Sequence, residues 1–449
     1  MITIQNKILI TDLSKEDFFK IKKFLTIDNP LYEKLRKMEK SIWGIPKVLE
    51  YFEQLSFTSL EIPVGSLALL DSNKILDLSK HKILDGRSKL KTKLNIKFKG
   101  TLRDYQQSAV ETFKDRTIGI LQASTGSGKT IIAIGHICNL KQPTLILVNT
   151  LELLNQFINR LLQFSTLSSE DIGVIGSGKF ELKPVTVALL QTMNKLSSEK
   201  YLKVNKTFGQ VITDEVHIIS AETYYRVINR LSAAYKFGLS ATPKRTDGLT
   251  NAIFFATGPI IHTITDEEVG ENILLPALKE IPTKYEFPLF DSSEYQMMMD
   301  DLASNKERNE LIIDTHKEHL GTQSVFLCNR LAQADLLQKN IPNSVVLSSK
   351  VSKKKRKEIM EKLDKNELKA VMTTYSLFST GIDLANLERL YLCAPIRSEI
   401  KLIQSAGRIR RKGDGTKRPI ITDFVDKEVG LLKNQWYSRR TVWKQLKII

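Results

Sequence analysis

The sequence holds only three cysteines, Cys138, Cys328 and Cys393, far apart and each set in an apolar stretch. Three thiols so placed give neither a disulfide framework nor zinc-ligand spacing, and buried side chains are expected at all three. No apolar run approaches the ~20 residues that a membrane-spanning helix needs. The opening Met1-Ile2-Thr3-Ile4-Gln5-Asn6-Lys7 lacks the charged-then-apolar order of a secretory signal, so a protein that stays in the cytoplasm of whatever cell makes it is expected. Negative charge is the scarcer sign, with 50 Asp and Glu against 67 Lys and Arg and a formal net charge of +17. That balance favours a polyanionic partner, nucleic acid or an anionic membrane surface, and charge alone does not choose between them.

What is present describes a folded chain. Its 449 residues are 42% hydrophobic and 26% charged, ordinary values for globular proteins, and a prior of roughly 150 residues per domain suggests about three domains. From about Gly100 onward, short β-rich apolar runs alternate with helical patterns. That rhythm is the signature of α/β domains, each a doubly wound parallel sheet covered by helices on both faces. Strands are expected at Ile118–Gln122, Thr144–Asn149, Thr186–Leu190, Gln210–Thr213 and Ala234–Leu239, then at Ser324–Cys328, Ser344–Leu347, Ala370–Thr373, Arg389–Cys393 and Ile420–Phe424. Gly248, Gly258 and Pro259 punctuate the join, and the domains are set at 99–262 and 263–449.

Residues 1–98 read as a small α+β accessory domain expected to bind DNA. Ile2–Thr11 reads as a strand, Ser14 and Asp17 as a helix start, Pro30 as the start of another helix, and Ser59–Ile62 as a strand entering a turn at Pro63-Val64-Gly65. At its end Lys89, Lys91, Lys93, Lys97 and Lys99 would share one face of an extended segment. Such a strip is either a solvated linker or a track for phosphates.

The strongest motif is Ala123-Ser124-Thr125-Gly126-Ser127-Gly128-Lys129-Thr130, between an expected strand and the helical run Ile131–Leu140. Glycines let successive backbone N–H groups converge on a phosphate, the helix N-terminus favours negative charge, Lys129 reaches the β- and γ-phosphates, and Thr130 offers a hydroxyl to magnesium. Ala123 stands where the first glycine of GxxxxGKT is usual, which argues against a generic GTPase. About 85 residues on, Asp214-Glu215-Val216-His217 ends an expected strand. Paired carboxylates there suit a division of labour, with Asp214 holding magnesium and Glu215 orienting and deprotonating the attacking water. ATP and Mg2+ are therefore the expected cofactors. Gln404-Ser405-Ala406-Gly407-Arg408-Ile409-Arg410-Arg411 lies in the second domain, where Gln404, Arg408 and Arg411 are expected to complete the site as arginine fingers and their partner. His217 reads as a link from the nucleotide site to Gln404 or Ser240.

Together these residues resemble the superfamily 2 helicases over almost all of Gly100 to Asp426. Leu102-Arg103-Asp104-Tyr105-Gln106 looks like the family's adenine-reading segment, which implies nucleotide contacts for Arg103 and Gln106, the latter to the base. Leu145–Thr150 and Leu189–Thr192 look like strand-end motifs that grip a nucleic-acid backbone, implying Asn149, Thr150, Gln191 and Thr192. Ser240-Ala241-Thr242 resembles the motif that couples hydrolysis to domain movement. Phe326–Arg330 and Thr373 to Asp383 occupy the places of the fourth and fifth motifs, implying Asn329, Arg330, Thr373 and Thr374 for nucleic acid and Gly381 and Asp383 for nucleotide. In the fifth motif Tyr375 and Ser376 stand where several relatives have threonine or aspartate. The resemblance implies two tandem RecA-like domains that alternate their grip on a strand. His217 replaces the second aspartate of DEAD-box RNA helicases, and Gly238–Gly248 is similar to the segment of XPB-like and UvsW-like DNA motors. The reading is an ATP-dependent DNA helicase of the UvsW branch-migration type, acting on forks and junctions in recombination, repair or replication; a monomer is the expected state, with recombination or replication proteins as candidate partners. Two alternatives stand: an RNA helicase, or the motor subunit of a larger nuclease or repair assembly.

Two basic clusters complete the sequence. Lys350, Lys353, Lys354, Lys355, Arg356 and Lys357 follow a helix start at Ser352 and read first as a solvated face. The tail Asn434–Lys444 mixes cations with Trp436, Tyr437 and Trp443, which either stack bases or dock a terminal helix; docking is preferred.

Overall fold

The computed structural model describes residues 1–87, 89–90, 93–217, 221–242, 247–270, 274–288, 294–381, 384, 387–410 and 418–449. It divides into two compact units, Met1–Glu268 and Val269–Ile449. No helix among the described residues is long and apolar enough to cross a membrane.

The first unit begins with β1 (Ile2–Ile4), β2 (Lys7–Ile10), α1 (Lys15–Phe24), β3 (Thr26–Asp28), α2 (Pro30–Lys37), β4 (Val48–Glu50), β5 (Glu53–Gln54), β6 (Leu60–Pro63), α3 (Ser66–Ser72) and β7 (Ile83–Asp85). The single strand expected over Ile2–Thr11 is a hairpin, because Gln5-Asn6 breaks the apolar run and the Gln5 N–H donates to the Lys7 carbonyl. Five strands form one small sheet in the order β5-β6-β2-β1-β7, while β3 and β4 pair separately. Ser14 caps α1 by accepting from the Asp17 N–H, as expected.

This module is fused to the next sheet. Phe255 joins its core of Ile2, Ile8, Ile10, Phe18 and Leu60. Gly65 lies so close to the chain at Gly258 that a Cβ there would sit 2.3 Å from the Gly258 nitrogen. Such contacts place residues 1–98 in the same compact unit as the domain that follows.

That domain runs α4 (Asp104–Lys114), β8 (Ile118–Ala123), α5 (Lys129–Leu140), β9 (Thr144–Val148), α6 (Leu151–Phe164), β10 (Ile172–Gly176), β11 (Lys179–Phe180), β12 (Val185–Leu189), α7 (Leu190–Asn194), α8 (Ser198–Thr207), β13 (Gln210–Asp214), α9 (Ala221–Ile228), β14 (Tyr235–Ser240), α10 (Thr250–Thr257) and β15 (Ile260–Ile264). The sheet order is β11-β10-β12-β9-β13-β14-β8-β15, parallel except for the β10–β11 pair. β9 and β13 are buried along their whole length, as strands covered on both faces must be. The domain boundary set after residue 262 falls inside β15, which pairs with β8, so the first unit continues to Glu268. Gly258 and Pro259 mark the turn into an edge strand rather than a linker.

Lys89, Lys93, Lys97 and Lys99 are exposed, while Leu94 and Phe98 are half-buried and Ile96 is buried. The alternation expected of an extended strip therefore holds where the chain is described; Lys91 lies outside the described residues.

Lys236 of β14 is 1% exposed, and its ammonium donates to the Ile228 carbonyl at 3.2 Å. Burial, then the Arg87 charge, lowers its pKa to about 7. An unfolded lysine titrates near 10.4, so between about 7 and 10.4 the unfolded chain holds the extra proton and stability rises with pH. The penalty is complete below the folded pKa and fades above it. Lys236→Met is expected to stabilise the first unit by about 2 kcal/mol at pH 7, after allowing for the orphaned carbonyl, and by less at pH 9. Calorimetry at both pH values checks this; a gain that does not shrink at pH 9 would remove the explanation.

The second unit follows α11 (Asp266–Val269) with β16 (Ala277–Pro282), α12 (Tyr295–Ser304), α13 (Lys306–Lys317), β17 (Ser324–Cys328), α14 (Leu331–Asn340), β18 (Ser344–Leu347), α15 (Lys353–Asp364), β19 (Ala370–Thr374), α16 (Tyr375–Gly381), β20 (Arg389–Leu392), α17 (Glu399–Ile409), β21 (Ile420–Val425) and α18 (Gly430–Gln445). Its parallel sheet has the order β16-β21-β20-β17-β19-β18. The aromatic tail docks: Trp443 is fully buried, Trp436 donates to Glu280 at 2.7 Å, and Arg439 grips Asp423 with two hydrogen bonds. All three cysteines are buried, as expected.

Candidate active site

The site of the first unit lies at the carboxyl edge of its parallel strands, where helix N-termini and loops converge. β8 ends at Ala123, and the chain turns through Ser124–Gly128 into α5. Gly126 and Gly128 both take positive φ, +97° and +84°. At Gly128 a second constraint applies, since a Cβ would fall 2.6 Å from Gln106 Nε2. That amide donates to the Ser127 carbonyl at 3.0 Å, and its oxygen accepts from the Arg103 N–H at 3.1 Å. Gln106 thus ties α4 to the loop and braces its shape, a role the sequence did not disclose. The Arg103 guanidinium lies against the Tyr105 hydroxyl at 3.0 Å.

Lys129 Nζ donates to the Ala123 carbonyl at 3.2 Å and stands 3.7 Å from Glu215 Oε1. The phosphate loop and the acidic pair are therefore brought together. Asp214 closes β13 and is buried; burial first, then the Glu215 charge, pushes its carboxyl up to about 7, with Lys129 pulling against them. Glu215 holds φ +51°, a left-handed conformation uncommon outside glycine. That bend turns successive carboxylates away from strand alternation, and its cost of order 1–3 kcal/mol is the kind retained at functional sites.

His217 Nδ1 is 3.3 Å from Glu215 Oε2 and is hydrogen-bonded to Ser240 Oγ at 2.7 Å. Ser240 in turn accepts from the Thr242 N–H at 3.2 Å. Of the two partners expected for His217, the structure supplies Ser240, the last residue of β14, which lies between the acid strand β13 and the loop strand β8.

The loop fits a nucleotide phosphate. Ser124 Oγ is buried with no hydrogen-bond partner, a costly state unless a ligand supplies one. Thr130 and Asp214 are the residues that would hold magnesium, which when bound would neutralise phosphate charge.

Strand-end residues differ in what they can offer. Asn149, at the end of β9, is buried with neither amide atom partnered, whereas the Thr150 hydroxyl caps α6 by accepting from the Leu153 N–H. Gln191 and Thr192 sit in the first turn of α7, Gln191 exposed. In the second unit Asn329 donates to the Pro395 carbonyl at 2.9 Å, and Arg330 is taken by Asp300 and Gln296. Thr373 is 1% exposed, and its hydroxyl donates to the Leu347 carbonyl. Thr374, which caps α16 by accepting from the Leu377 N–H, is half-buried. Gln404 is buried on α17, and Arg408 lies over the Phe378 ring. Gly381 ends α16, while Asp383 and Arg411 lie outside the described residues.

Residues 99–245 match the family described as Type III restriction enzyme, res subunit, and residues 307–413 match Helicase conserved C-terminal domain. The 161L protein of Invertebrate iridescent virus 6, named as a helicase, is 30% identical over 375 residues, 77% of this chain and 81% of its own. This chain belongs to the superfamily 2 helicases. Mimivirus L396 of Acanthamoeba polyphaga mimivirus, named as an ATP-dependent RNA helicase, is 30% identical over 78% of this chain and 69% of its own. The DNA 3'-5' translocase XPB2 of Sulfurisphaera tokodaii is 26% identical over 74% of this helicase and 83% of its own chain. Among solved structures, S. cerevisiae Dbp5 bound to RNA and ADP BeF3 matches 77% of the helicase and 88% of that chain at TM-score 0.56 and 15% identity, a likeness of fold. T4 UvsW matches over 99% and 97% at TM-score 0.42 and 19% identity.

Proposed function

We propose that this helicase is an ATP-driven DNA translocase that unwinds or branch-migrates forked and junction DNA. The observation that carries the reading is the contact chain from Lys129 through Glu215 and His217 to Ser240 and Thr242, which joins the hydrolytic carboxylate to the loop after β14. Any change at Glu215 on hydrolysis reaches that loop through one imidazole, which is what a motor requires of a fuel site. The histidine in this chain, the Gly238–Gly248 segment and a relative named as a DNA translocase support DNA over RNA. In the proposed cycle Lys129 and the loop amides bind the phosphates, Glu215 holds and deprotonates the attacking water, and Arg408 and Arg411 stabilise charge developing on the transferred phosphoryl. Asn149, Thr150, Gln191 and Thr192 contact the DNA backbone.

A second reading, an RNA helicase, is favoured by the name of the mimivirus relative. ATP hydrolysis measured with single-stranded DNA, single-stranded RNA and neither separates the two. DNA is expected to raise turnover about tenfold, roughly 1.4 kcal/mol of barrier, and RNA less. A labelled four-way junction should then be resolved only with ATP. Stronger stimulation by RNA selects the second reading, and equal turnover in all three conditions with an unmoved junction sinks both.

A further inference from the structure

Between β3 and β4 the chain makes an excursion, Asn29 to Lys47, that contributes nothing to any core: α2 has no buried residue. A single buried side chain closes it. Asn29 caps α2 by accepting from the Leu31 N–H, its amide donates to the Pro46 carbonyl at 2.8 Å, and its backbone N–H donates to the Lys47 carbonyl at 2.9 Å. At the far end Ile42-Trp43-Gly44-Ile45 forms a tight turn, with the Ile45 N–H donating to the Ile42 carbonyl and Gly44 at φ +76° in the place where a type II turn demands it. Trp43 stands at the tip, 92% exposed.

A tryptophan so exposed on a clamped turn forgoes one of the larger gains of burial, which marks a surface awaiting a partner. The charge around it says which kind. Pro30–Lys47 carries five cations, Lys34, Arg36, Lys37, Lys40 and Lys47, against two acids, Glu33 and Glu39. The other strongly exposed aromatic of the module, Phe57 at 87%, lies in a turn between Glu53 and Glu61 with no cation in that span. An exposed aromatic on a segment with this excess of cations suits a base whose phosphates lie alongside, and it disfavours a purely apolar protein partner. The base of the excursion also lies at the motor loop: a Cβ on Gly248 would fall 3.0 Å from the Pro30 ring, so α2 abuts the segment that follows β14 and its Ser240.

We infer that Trp43 is a base-stacking platform for single-stranded nucleic acid, presented by the Asn29-clamped excursion beside the motor loop. The inference rests on the reading of this protein as a nucleic-acid motor and adds where an unpaired base is held. Stacking on a preformed turn needs little ordering on binding and tolerates any base, so it engages a strand regardless of sequence.

The test uses the full chain and oligonucleotides of about twenty nucleotides, oligo(dT), oligo(U) and a blunt duplex. Trp43 is the one exposed tryptophan of three, so its fluorescence should be quenched on adding oligo(dT). Trp43→Ala should weaken oligo(dT) binding about 5- to 150-fold, the range for loss of one stacked base. Trp43→Phe should retain most of the affinity, and the duplex should bind both proteins alike. Phe57→Ala, the matched exposed aromatic, should change nothing. Equal binding of oligo(dT) by wild type and Trp43→Ala would overturn the inference while leaving the motor reading intact, as would equal weakening of duplex and single strand. Failure of wild-type protein to bind any of the three overturns both. Comparison of oligo(dT) with oligo(U) shows whether the platform prefers DNA.

Discussion

Glu215→Gln is expected to bind ATP with wild-type or tighter affinity yet hydrolyse it about a thousandfold more slowly, a loss of roughly 4 kcal/mol in the barrier. The structure explains both halves. Hydrolysis needs a base and an orienting group for water, and glutamine supplies only orientation. In the proposed site, binding would rest on other residues: Ser124, Gly126 and Gly128 of the β8–α5 connection and Lys129 at the start of α5. Lys129 now divides itself between the Ala123 carbonyl and the Glu215 carboxylate, and removing that negative charge frees the ammonium for phosphate. Glutamine is no worse suited than glutamate to the left-handed φ at this position, so the loop's shape should survive. A fluorescent nucleotide titration beside a phosphate-release assay decides the matter. Loss of binding together with turnover would assign Glu215 to ligand binding, and retention of more than a tenth of wild-type turnover would require another base.

Much of this site could be read from residue order, and the reason is physical. A phosphate cradle demands glycines, a lysine and a hydroxyl at fixed spacing after a strand, and no other purpose requires that combination. The central strands were legible on the same terms, because sheets covered on both faces need uninterrupted apolar runs such as Thr144–Val148 and Ser324–Cys328. Strands at or next to a sheet margin carry less of that demand. Ile172–Gly176, beside the two-residue edge strand β11, contains two glycines, and the edge strand Ala277–Pro282 a Lys-Glu pair; neither is among the expected strands, and pairing with β12 and β21 reveals them.

Roles set by tertiary contact were the least legible. Gln106, for which the family resemblance implies a base contact, also bonds Arg103 and Ser127 and braces the loop, a tertiary role that residue order does not announce. Thr373 reads as a strand-end hydroxyl, but one residue's difference in alternation turns it inward and leaves Thr374 nearer the surface. Trp43 carries no local signal of its exposure, and only the fold shows it standing 92% exposed.

Arg308 has a role that its surroundings in the sequence hide, since it stands in the strongly polar run Lys306-Glu307-Arg308-Asn309-Glu310. In the second unit it is 2% exposed and grips the equally buried Asp426 through Nε at 2.8 Å and a terminal nitrogen at 3.1 Å, while its other terminal nitrogen donates to the Cys393 carbonyl at 2.5 Å. Thr283 donates its hydroxyl to the same carboxylate. One guanidinium thus holds α13 against the ends of β20 and β21. Arg308→Met fills similar volume but leaves Asp426 buried without its counter-charge, and breaking such a pair costs about 3–5 kcal/mol. The double variant Arg308→Met with Asp426→Leu should recover more than half of that loss, because two apolar side chains leave no charge unpaired. Urea unfolding of the full chain reads this directly, since Trp436 and Trp443 both belong to α18 of this unit and report its unfolding. A loss under about 1 kcal/mol for Arg308→Met, the range of an exposed pair, would show that water reaches the carboxylate. A double variant no more stable than the single one would place the cost in packing or in the Cys393 carbonyl, not in the stranded charge.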